Sequence, residues 1–412
     1  MSNKAQGEGH TLGCLASTSG SSQSILAFPD PISHFIGRDR ELQAIERLFK
    51  QGINVVELTD SPGKIGMGKS ALAIQAVHAL KSHYSDCQLY ANLHGQDTFP
   101  AHARDVLQEW LVLQFGIDPR VLPQDTSELQ ALYQQQIEGQ RVIIVLDNVA
   151  SLKQIQPLVA HSSSQSPTAY AILITSRSPI LTAEHGKTLF VDRLATNLGM
   201  SLLTGKPASQ TPSQAEGSED GSKSLHQIIK LADGSPFALQ LLGHLLRQVP
   251  PTSPDTLMLE IEKGKRKYQA SYPEQLSQFM ACLNVAYQSL EVEDRDLLSR
   301  LSVLHGSQFN AGLAAHLCGQ NNTSIVTLRL ETLHKKGWLV PMPNLANPGE
   351  LKEYTMPEVA RAFLWKKVTA KARRTLVTWA LNWTDDHHNE IDRLMLKSDT
   401  EPIADLLKSI AS

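Results

Sequence analysis

Residues 63–70 (GKIGMGKS) decide the fold, because they satisfy the pattern GxxxxGK[ST] at the junction between two predicted elements. The run before them, residues 54–59 (NVVELT), is rich in Val and Leu and predicts a strand. The apolar spacing of Leu72, Ala76 and Leu80 predicts a helix after them. Glycines at such a junction let successive backbone N–H groups turn towards phosphate oxygens, and the helix N-terminus adds a positive dipole end. The stretch therefore predicts a loop that binds nucleotide phosphates.

The side chains of this loop have chemical roles of their own. Lys69 brings a mobile positive charge to the β- and γ-phosphates, and Ser70 offers its hydroxyl to Mg²⁺. We therefore predict that the protein binds ATP or ADP together with Mg²⁺. The residues of the loop expected to contact the nucleotide are Gly63, Gly66, Met67, Gly68, Lys69, Ser70 and Ala71.

A second chemical signal is a carboxylate at the end of a buried strand. Residues 142–147 (VIIVLD) are apolar up to Asp147, and ligands of open α/β sheets lie at the carboxyl ends of the strands. Ser70 and Asp147 are thus the predicted metal-side residues. Asn148 follows, and an amide cannot act as a general base, so proton removal from water must come from elsewhere or be slow. The sequence leaves open whether ATP is hydrolysed slowly or not at all.

An arginine follows the next strand of the chain. Residues 170–175 (YAILIT) read as a buried strand, and Arg177 stands two residues beyond it. A guanidinium at that position can form two hydrogen bonds with a γ-phosphate and so sense whether the phosphate is present, while the alternative is an ordinary surface arginine. Lys69, Asp147 and Arg177 form the predicted catalytic set.

The order of the predicted elements indicates the fold class. Four short strand-like runs, residues 54–59, 87–93, 141–146 and 170–175, alternate with segments of helical spacing, which predicts a parallel α/β sheet covered on both faces. Beyond residue 224 the pattern is helical. Two short extended runs, 337–341 and 353–356, then suggest a hairpin. We predict a P-loop α/β domain followed by a small helical domain and a winged-helix domain.

Changes in composition along the chain suggest domain boundaries. Residues 1–34 are rich in Ser, Gly, Thr and Pro, and residues 207–224 contain almost no apolar side chains, which favours flexible segments. The expected division is a flexible leader (1–34), a nucleotide-binding domain (35–200), a flexible insertion (201–224), a small helical domain (225–272), a winged-helix-like domain (273–367) and a C-terminal helical segment (368–412).

Composition excludes several classes of protein. The 412 residues carry a net charge of −3, which argues against a nucleic-acid binder that relies on overall positive charge. No run approaches about 18 uninterrupted apolar residues, and the N-terminus lacks the apolar core of a secretory signal. The four cysteines are widely spaced, as in reduced cytosolic proteins. We expect a cytoplasmic protein with no membrane partner. The acidic and histidine-rich run at 385–390 is expected to be a solvated helix face and not a metal site.

Several motifs resemble those of NB-ARC ATPases, a branch of the STAND class. Residues 35–41 (FIGRDRE) resemble the motif that precedes the P-loop in this family, and 146–148 (LDN) and 175–177 (TSR) are similar to its strand-end motifs. Residues 234–239 (GSPFAL) resemble its GLPLAL motif. The motifs occur in the family's order over residues 35–365, in the manner of the bacterial signalling and transcriptional regulators.

The resemblance implies a switch controlled by a nucleotide. In such proteins the three domains close over ADP, and exchange for ATP opens them. The resemblance places Ile36, Gly37 and Arg38 near the adenine and Pro236 over the base. It also implies protein partners or self-assembly on activation. In the same comparison Lys69 and Ser70 hold phosphate and Mg²⁺, Asp147 holds the water shell of the metal, and Arg177 contacts the γ-phosphate.

The chain departs from the family at its Met-His-Asp motif. The corresponding residues are Met356, Pro357 and Glu358, and proline has no side-chain donor for the ADP β-phosphate. A hydrogen bond to a charged group contributes about 1.5–3 kcal/mol. We therefore expect faster ADP release than in relatives that have the histidine.

Three functions remain open at this level. The first is a regulatory ATP/ADP switch with slow hydrolysis, which the order of motifs favours. The second is an interaction scaffold that keeps ADP permanently, because Asn148 and Pro357 replace functional groups of the family. The third is a DNA-binding regulator, because basic clusters at 263–267 and 366–374 lie near the predicted winged helix. The negative net charge makes nucleic acid an unlikely partner.

Overall fold

The computed structural model describes residues 28–32, 35–95, 100–159, 169–207, 219–304, 308–342 and 353–386. Most of the predicted leader and residues 387–412 lie outside the described residues, as do residues 208–218 of the predicted insertion. The acidic and histidine-rich run at 385–390 is described only at Asp385 and Asp386. Within the described residues, no helix is both long and apolar enough to cross a membrane.

A parallel sheet forms the first half of the molecule. Its strands run in the order β2-β3-β4-β1-β5, and every neighbouring pair is parallel. The carboxyl ends of β1, β3 and β4 therefore meet at one edge, which brings the P-loop, Asp147 and Arg177 to the same side of the sheet. The strands are β1 (Val55–Asp60), β2 (Cys87–Asn92), β3 (Arg141–Val149), β4 (Ala169–Ser176) and β5 (Lys187–Val191).

Helices cover both faces of this sheet, as its continuously apolar central strands require. Ile143 and Val145 of β3 pack towards α1 and α2, whereas Val142, Ile144 and Leu146 pack towards α3 and α4. The helices are α1 (Asp39–Lys50), α2 (Lys69–Leu80), α3 (Ala103–Glu109, extended by a π-helical turn over Trp110–Gln114), α4 (Thr126–Ile137), α5 (Leu152–Ile155) and α6 (Thr196–Thr204). Short 3₁₀ turns lie at Pro119–Val121 and Gln156–Leu158.

The second half is helical and contains one small hairpin. Ser235, Ser253, Asn310 and Asn322 cap the first turns of α8, α9, α12 and α13, because their side-chain oxygens accept from backbone N–H groups that have no partner within the helix. The elements are α7 (Glu219–Leu231), α8 (Pro236–Arg247), α9 (Pro254–Tyr268), α10 (Glu274–Gln288), α11 (Val292–Leu301), α12 (Ala311–Cys318), α13 (Thr323–Lys335), β6 (Val340–Met342), β7 (Glu353–Thr355), α14 (Glu358–Trp365) and α15 (Ala370–Asp386).

One hydrophobic core runs through this helical half. The same buried cluster contains Leu239 of α8, Ile261 of α9 and Phe279 of α10, so the core is continuous across residues 272 and 273. Ile65 of the P-loop also belongs to it. The P-loop is therefore anchored in the core of the helical half as well as in the sheet.

The structure differs from the sequence-based expectations in several places. Strand β5 was not predicted, because its apolar run is only three residues long, Leu189 to Val191. Strand β3 continues to Val149, so Asp147 lies within the strand and not at its end. Helices α6 and α7 extend into the predicted insertion, to Thr204 and from Glu219. In the predicted leader, the ring of Phe28 packs edge-on against His78 and Tyr90.

Candidate functional site

The glycines of the P-loop adopt backbone conformations that favour glycine. Gly63, Gly66 and Gly68 have φ angles of 73°, 67° and 85°, and Gly68 caps α2 in the left-handed region. A Cβ atom on Gly66 would lie 2.9 Å from Ser235 Oγ, so this position needs glycine for space as well. The predicted order of strand, glycine loop and helix is present. The loop forms a cradle that a side chain would fill, which suits a phosphate group.

Lys69 is paired with an acid that the sequence did not single out as a site residue. Its Nζ donates to Asp60 Oδ2 at the end of β1, and both side chains are largely buried. The other oxygen, Asp60 Oδ1, is buried and has no hydrogen-bond donor among the described residues. Asp60 therefore faces the lysine that would bind the nucleotide phosphates.

Asp147 is held by three hydroxyl groups. Ser70 Oγ donates to Asp147 Oδ1 at 2.7 Å, Thr175 donates to the same oxygen, and Tyr90 donates to Oδ2 at 3.2 Å. Burial and then the charge of Asp147 raise the pKa of Tyr90 well above its usual value, so the phenol stays a donor. Ser70 and Asp147 are thus adjacent, as predicted. Tyr90 and Thr175 are the partners that sequence analysis missed.

This cluster fits the ligand preference of Mg²⁺. Hydroxyl and carboxylate oxygens are hard donors, and protein-bound Mg²⁺ commonly uses one or two carboxylates with phosphates and water. The described residues contain no group of three or more His, Cys, Asp or Glu side chains that could hold a metal by themselves. Ser70 and Asp147 therefore suit a metal that a phosphate chain also ligates.

The side chain of Asn148 contacts strand β2. The β3–β4 register shifts between Leu146 and Val149, and Asn148 has a φ of 56°, which marks an irregularity of the strand at this residue. Asn148 Nδ2 donates to Asn92 Oδ1 at 3.0 Å, and its backbone N–H donates to Thr175 Oγ1 at 2.9 Å. The residue has a structural role between β2 and β4.

Arg177 contacts the helical half. Its Nη2 donates to Glu358 Oε1, and both side chains are mostly buried. Glu358 begins α14 directly after Pro357, which occupies the N-cap position. The acid of the stretch 356–358 therefore binds the arginine that the sequence predicts as a γ-phosphate sensor.

Of the residues predicted near the adenine, Arg38 contacts the P-loop. Arg38 is buried, and its Nη2 donates to the carbonyls of Met67 at 2.9 Å and Asp192 at 2.7 Å. Its guanidinium thus supports the P-loop backbone. Ile36 and Gly37 precede α1, and Gly37 (φ 73°) packs so closely on Leu198 that a Cβ would lie 2.6 Å from its Cδ1.

The turn between α7 and α8 contacts the P-loop. Lys64 Nζ lies 2.9 Å from Asp233 Oδ2, and the fully buried Ser235 donates to the carbonyl of Gly66 at 2.9 Å. Pro236 follows, and its Cγ would lie 3.9 Å from a Cβ on Gly68. The predicted base-capping proline is therefore brought to the phosphate loop.

Comparison with known proteins identifies two curated relatives and a similar solved structure. Regulatory protein AfsR from Streptomyces griseus is 28% identical over 177 residues, and that from Streptomyces coelicolor is 26% identical over 182 residues. Each match covers 43% of this chain and only 18% of the relative. No protein-family model matches the chain.

The similar structure is that of a STAND protein (Signal Transduction ATPase with Numerous Domains) with a tetratricopeptide-repeat sensor from Pyrococcus horikoshii. It has a TM-score of 0.56 and 19% sequence identity, and the match covers 90% of this chain and 48% of that one. The likeness therefore extends over both the sheet and the helical half. The chain thus has an α/β P-loop fold similar to that of this STAND protein, as the resemblance of its motifs to the STAND class predicts.

Proposed function

We propose that this protein is a regulatory switch that binds ATP or ADP with Mg²⁺, closed with ADP and open with ATP. One observation carries the proposal: residues of the P-loop and of the phosphate edge also contact the helical half. Ser235 donates to Gly66 of the P-loop, and Arg177 pairs with Glu358 of α14. The curated relatives are named as regulatory proteins, which supports this reading.

In this proposal each predicted residue has a role. Lys69 and the N–H groups of the glycine loop bind the phosphates, and Ser70 and Asp147 bind the metal, whose charge offsets that of the phosphates. Ile36, Gly37 and Pro236 border the base, and Arg38 supports the loop through Met67. We retain the predicted domains, nucleotide-binding (35–200), helical (225–272), winged-helix-like (273–367) and C-terminal helical (368–412), as part of the proposal.

Arg177 provides the link between nucleotide and domain arrangement. A γ-phosphate offers charged oxygens to the guanidinium, and so does the carboxylate of Glu358. With ADP, Arg177 stays on Glu358 and the helical half stays docked. With ATP, Arg177 has a second anionic partner, which weakens the link to α14. A ligand shifts such an equilibrium only through a difference in affinity for the two states, and this competition supplies one.

Slow or absent hydrolysis follows from Asn148. Its side chain is engaged by Asn92, and an amide accepts no proton from an attacking water. Opening of the helical half exposes surfaces for protein partners or self-assembly. That nucleic acid is not a partner stays a prediction, tested by whether the protein shifts duplex DNA at moderate ionic strength.

The test is the nucleotide carried by the purified full chain, released by denaturation and identified by chromatography. We expect stoichiometric ADP that exchanges for added ATP. Lys69→Ala is expected to abolish nucleotide binding. Lys81 is exposed at the other end of α2, and Lys81→Ala is expected to leave nucleotide binding unchanged. A protein that is purified without nucleotide and then binds neither ATP nor ADP would overturn the proposed switch function. Bound ADP that never exchanges would favour the scaffold.

A further inference from the structure

Glu57 is a buried carboxylate of the sheet that the proposed nucleotide chemistry does not use. It lies on β1, with 0% of its side chain exposed. Burial of such a group is costly unless its oxygens are satisfied. Four donors satisfy them: Ser176 Oγ at 2.6 Å and Ile180 N at 2.9 Å on Oε1, and Leu181 N at 3.2 Å and Thr188 Oγ1 at 2.8 Å on Oε2.

Three of these donors lie on the two sides of Arg177. Ser176 is the last residue of β4 and precedes Arg177 directly, while Ile180 and Leu181 follow after a gap of two residues. One carboxylate therefore holds both ends of the short segment that carries the arginine. The fourth donor, Thr188, lies on β5 and is paired with Glu57 in the sheet register.

A carboxylate suits this position better than other side chains. All four partners are hydrogen-bond donors here, and a carboxylate has two oxygens that only accept. A glutamine amide would present an NH₂ group to donors on one side. Among the described residues no salt bridge includes Glu57, so its bonds are to neutral groups.

We propose that Glu57 is the positioning residue for Arg177: it holds the segment 176–181 so that the guanidinium reaches the phosphate edge of the sheet. The inference rests on the proposed role of Arg177 as the sensor of the γ-phosphate. Glu57 lies on β1, the strand that directly precedes the P-loop. The strand that ends at the phosphate loop thus also sets the place of the arginine.

The experiment measures the affinities of the full chain for Mg-ATPγS and Mg-ADP and takes their ratio. Arg177→Ala is expected to lower the preference for ATPγS about tenfold, as loss of a hydrogen bond to a charged group does. Glu57→Gln is expected to lower it by the same factor. The double variant is expected to match either single variant, because both changes remove the same contact.

Two further variants form a matched pair. Ser176→Ala and Thr188→Val each remove one hydroxyl donor from the same carboxylate, but only Ser176 belongs to the segment of Arg177. Ser176→Ala is expected to lower the nucleotide ratio, whereas Thr188→Val leaves it unchanged. This pair decides the question even where Glu57→Gln does not fold.

The outcomes separate the inference from the function on which it rests. If Arg177→Ala lowers the ratio but Glu57→Gln and Ser176→Ala do not, the positioning role is wrong and the sensor stands. Equal losses in Ser176→Ala and Thr188→Val would mean that Glu57 is only a structural residue. An unchanged ratio in Arg177→Ala would overturn the sensor and the inference together.

Discussion

At the phosphate loop, single side chains already have the partners that a nucleotide would displace. Lys69 forms an ion pair with Asp60, and the hydroxyl of Ser70 donates a hydrogen bond to Asp147. Arg177 forms an ion pair with Glu358. Each of these pairs lowers the net gain from binding phosphate or metal, because the existing contact must first be broken. The affinity for nucleotide and metal therefore depends on the strength of these three contacts.

Asp60→Asn tests the cost of the pair with Lys69. Removal of the carboxylate charge leaves Lys69 free for phosphate, and we expect about fivefold tighter binding of Mg-ADP, equivalent to about 1 kcal/mol. Titration with labelled ADP measures it. Asp118→Asn makes the same charge change at an exposed pair with Arg120 and should leave binding unchanged. Weaker binding in Asp60→Asn would mean that Asp60 supports the nucleotide or its metal.

Pro357→His tests the departure from the family motif. The histidine would add a side-chain donor at the N-terminus of α14, next to Glu358. A hydrogen bond to a charged phosphate is expected to slow ADP release about tenfold or more. Stopped-flow displacement of a fluorescent ADP measures the rate. An unchanged rate would count against the idea that Pro357 weakens the closed state.

At the scale of elements, the turn between α7 and α8 links the P-loop to the helical half. Ser235 caps α8 and also donates to the carbonyl of Gly66, and Asp233 pairs with Lys64. Ile65 of the loop is buried in the helical core. A change in the conformation of the P-loop therefore acts directly on α7 and α8.

Ser235→Ala tests this link, and the chain contains a matched control. Ser253 caps α9 with the same Ser-Pro sequence, but it is exposed and far along the chain from the loop. Each substitution removes a cap and costs about 1 kcal/mol in the free energy of unfolding. Only Ser235→Ala is expected to speed ADP release as well. Equal release rates in the two variants would show that the contact with Gly66 does not control exchange.

At the scale of the whole molecule, an ion pair connects α14 to the edge of the sheet. Arg177 and Glu358 are 181 residues apart in the chain, and they join the end of β4 to the element after the hairpin. The hydrophobic core of the helical half extends to α14 and includes Phe363. The pair therefore connects the phosphate edge to the helices that share this core.

Glu358→Ala is expected to release the helical half from the edge of the sheet. We expect ADP to dissociate about tenfold faster, because a charge-assisted hydrogen bond is lost, and the ADP-bound protein to have a larger radius of gyration. Small-angle scattering and displacement kinetics measure the two effects. Glu260→Ala breaks an exposed pair within α9 and should change neither. A compact protein with unchanged kinetics would mean that other contacts hold the closed state.

Several parts of the site were not predictable because their partners come from distant parts of the chain. Tyr90 and Asp147 meet because β2 and β3 are neighbours in the sheet, and Thr175 reaches Asp147 from β4. The local sequence around a hydroxyl-bearing residue on a strand does not indicate that a carboxylate of another strand will lie beside it. Asp60 directly follows the predicted strand 54–59, and nothing in its local sequence marks it as a partner of the loop lysine. Its pairing with Lys69 depends on how the chain turns after β1.

The sequence by itself determined the glycine loop, the alternating order of strands and helices, and the meeting of Ser70 with Asp147. These follow from local periodicity, from the conformations that glycine allows and from the rule that parallel strands end at one edge. Tertiary structure alone decided that Arg177 pairs with Glu358, that Arg38 supports Met67, and that Glu57 holds the segment after β4. The physical reason is that such contacts depend on strand register and domain docking, which are set by the packing of the whole core.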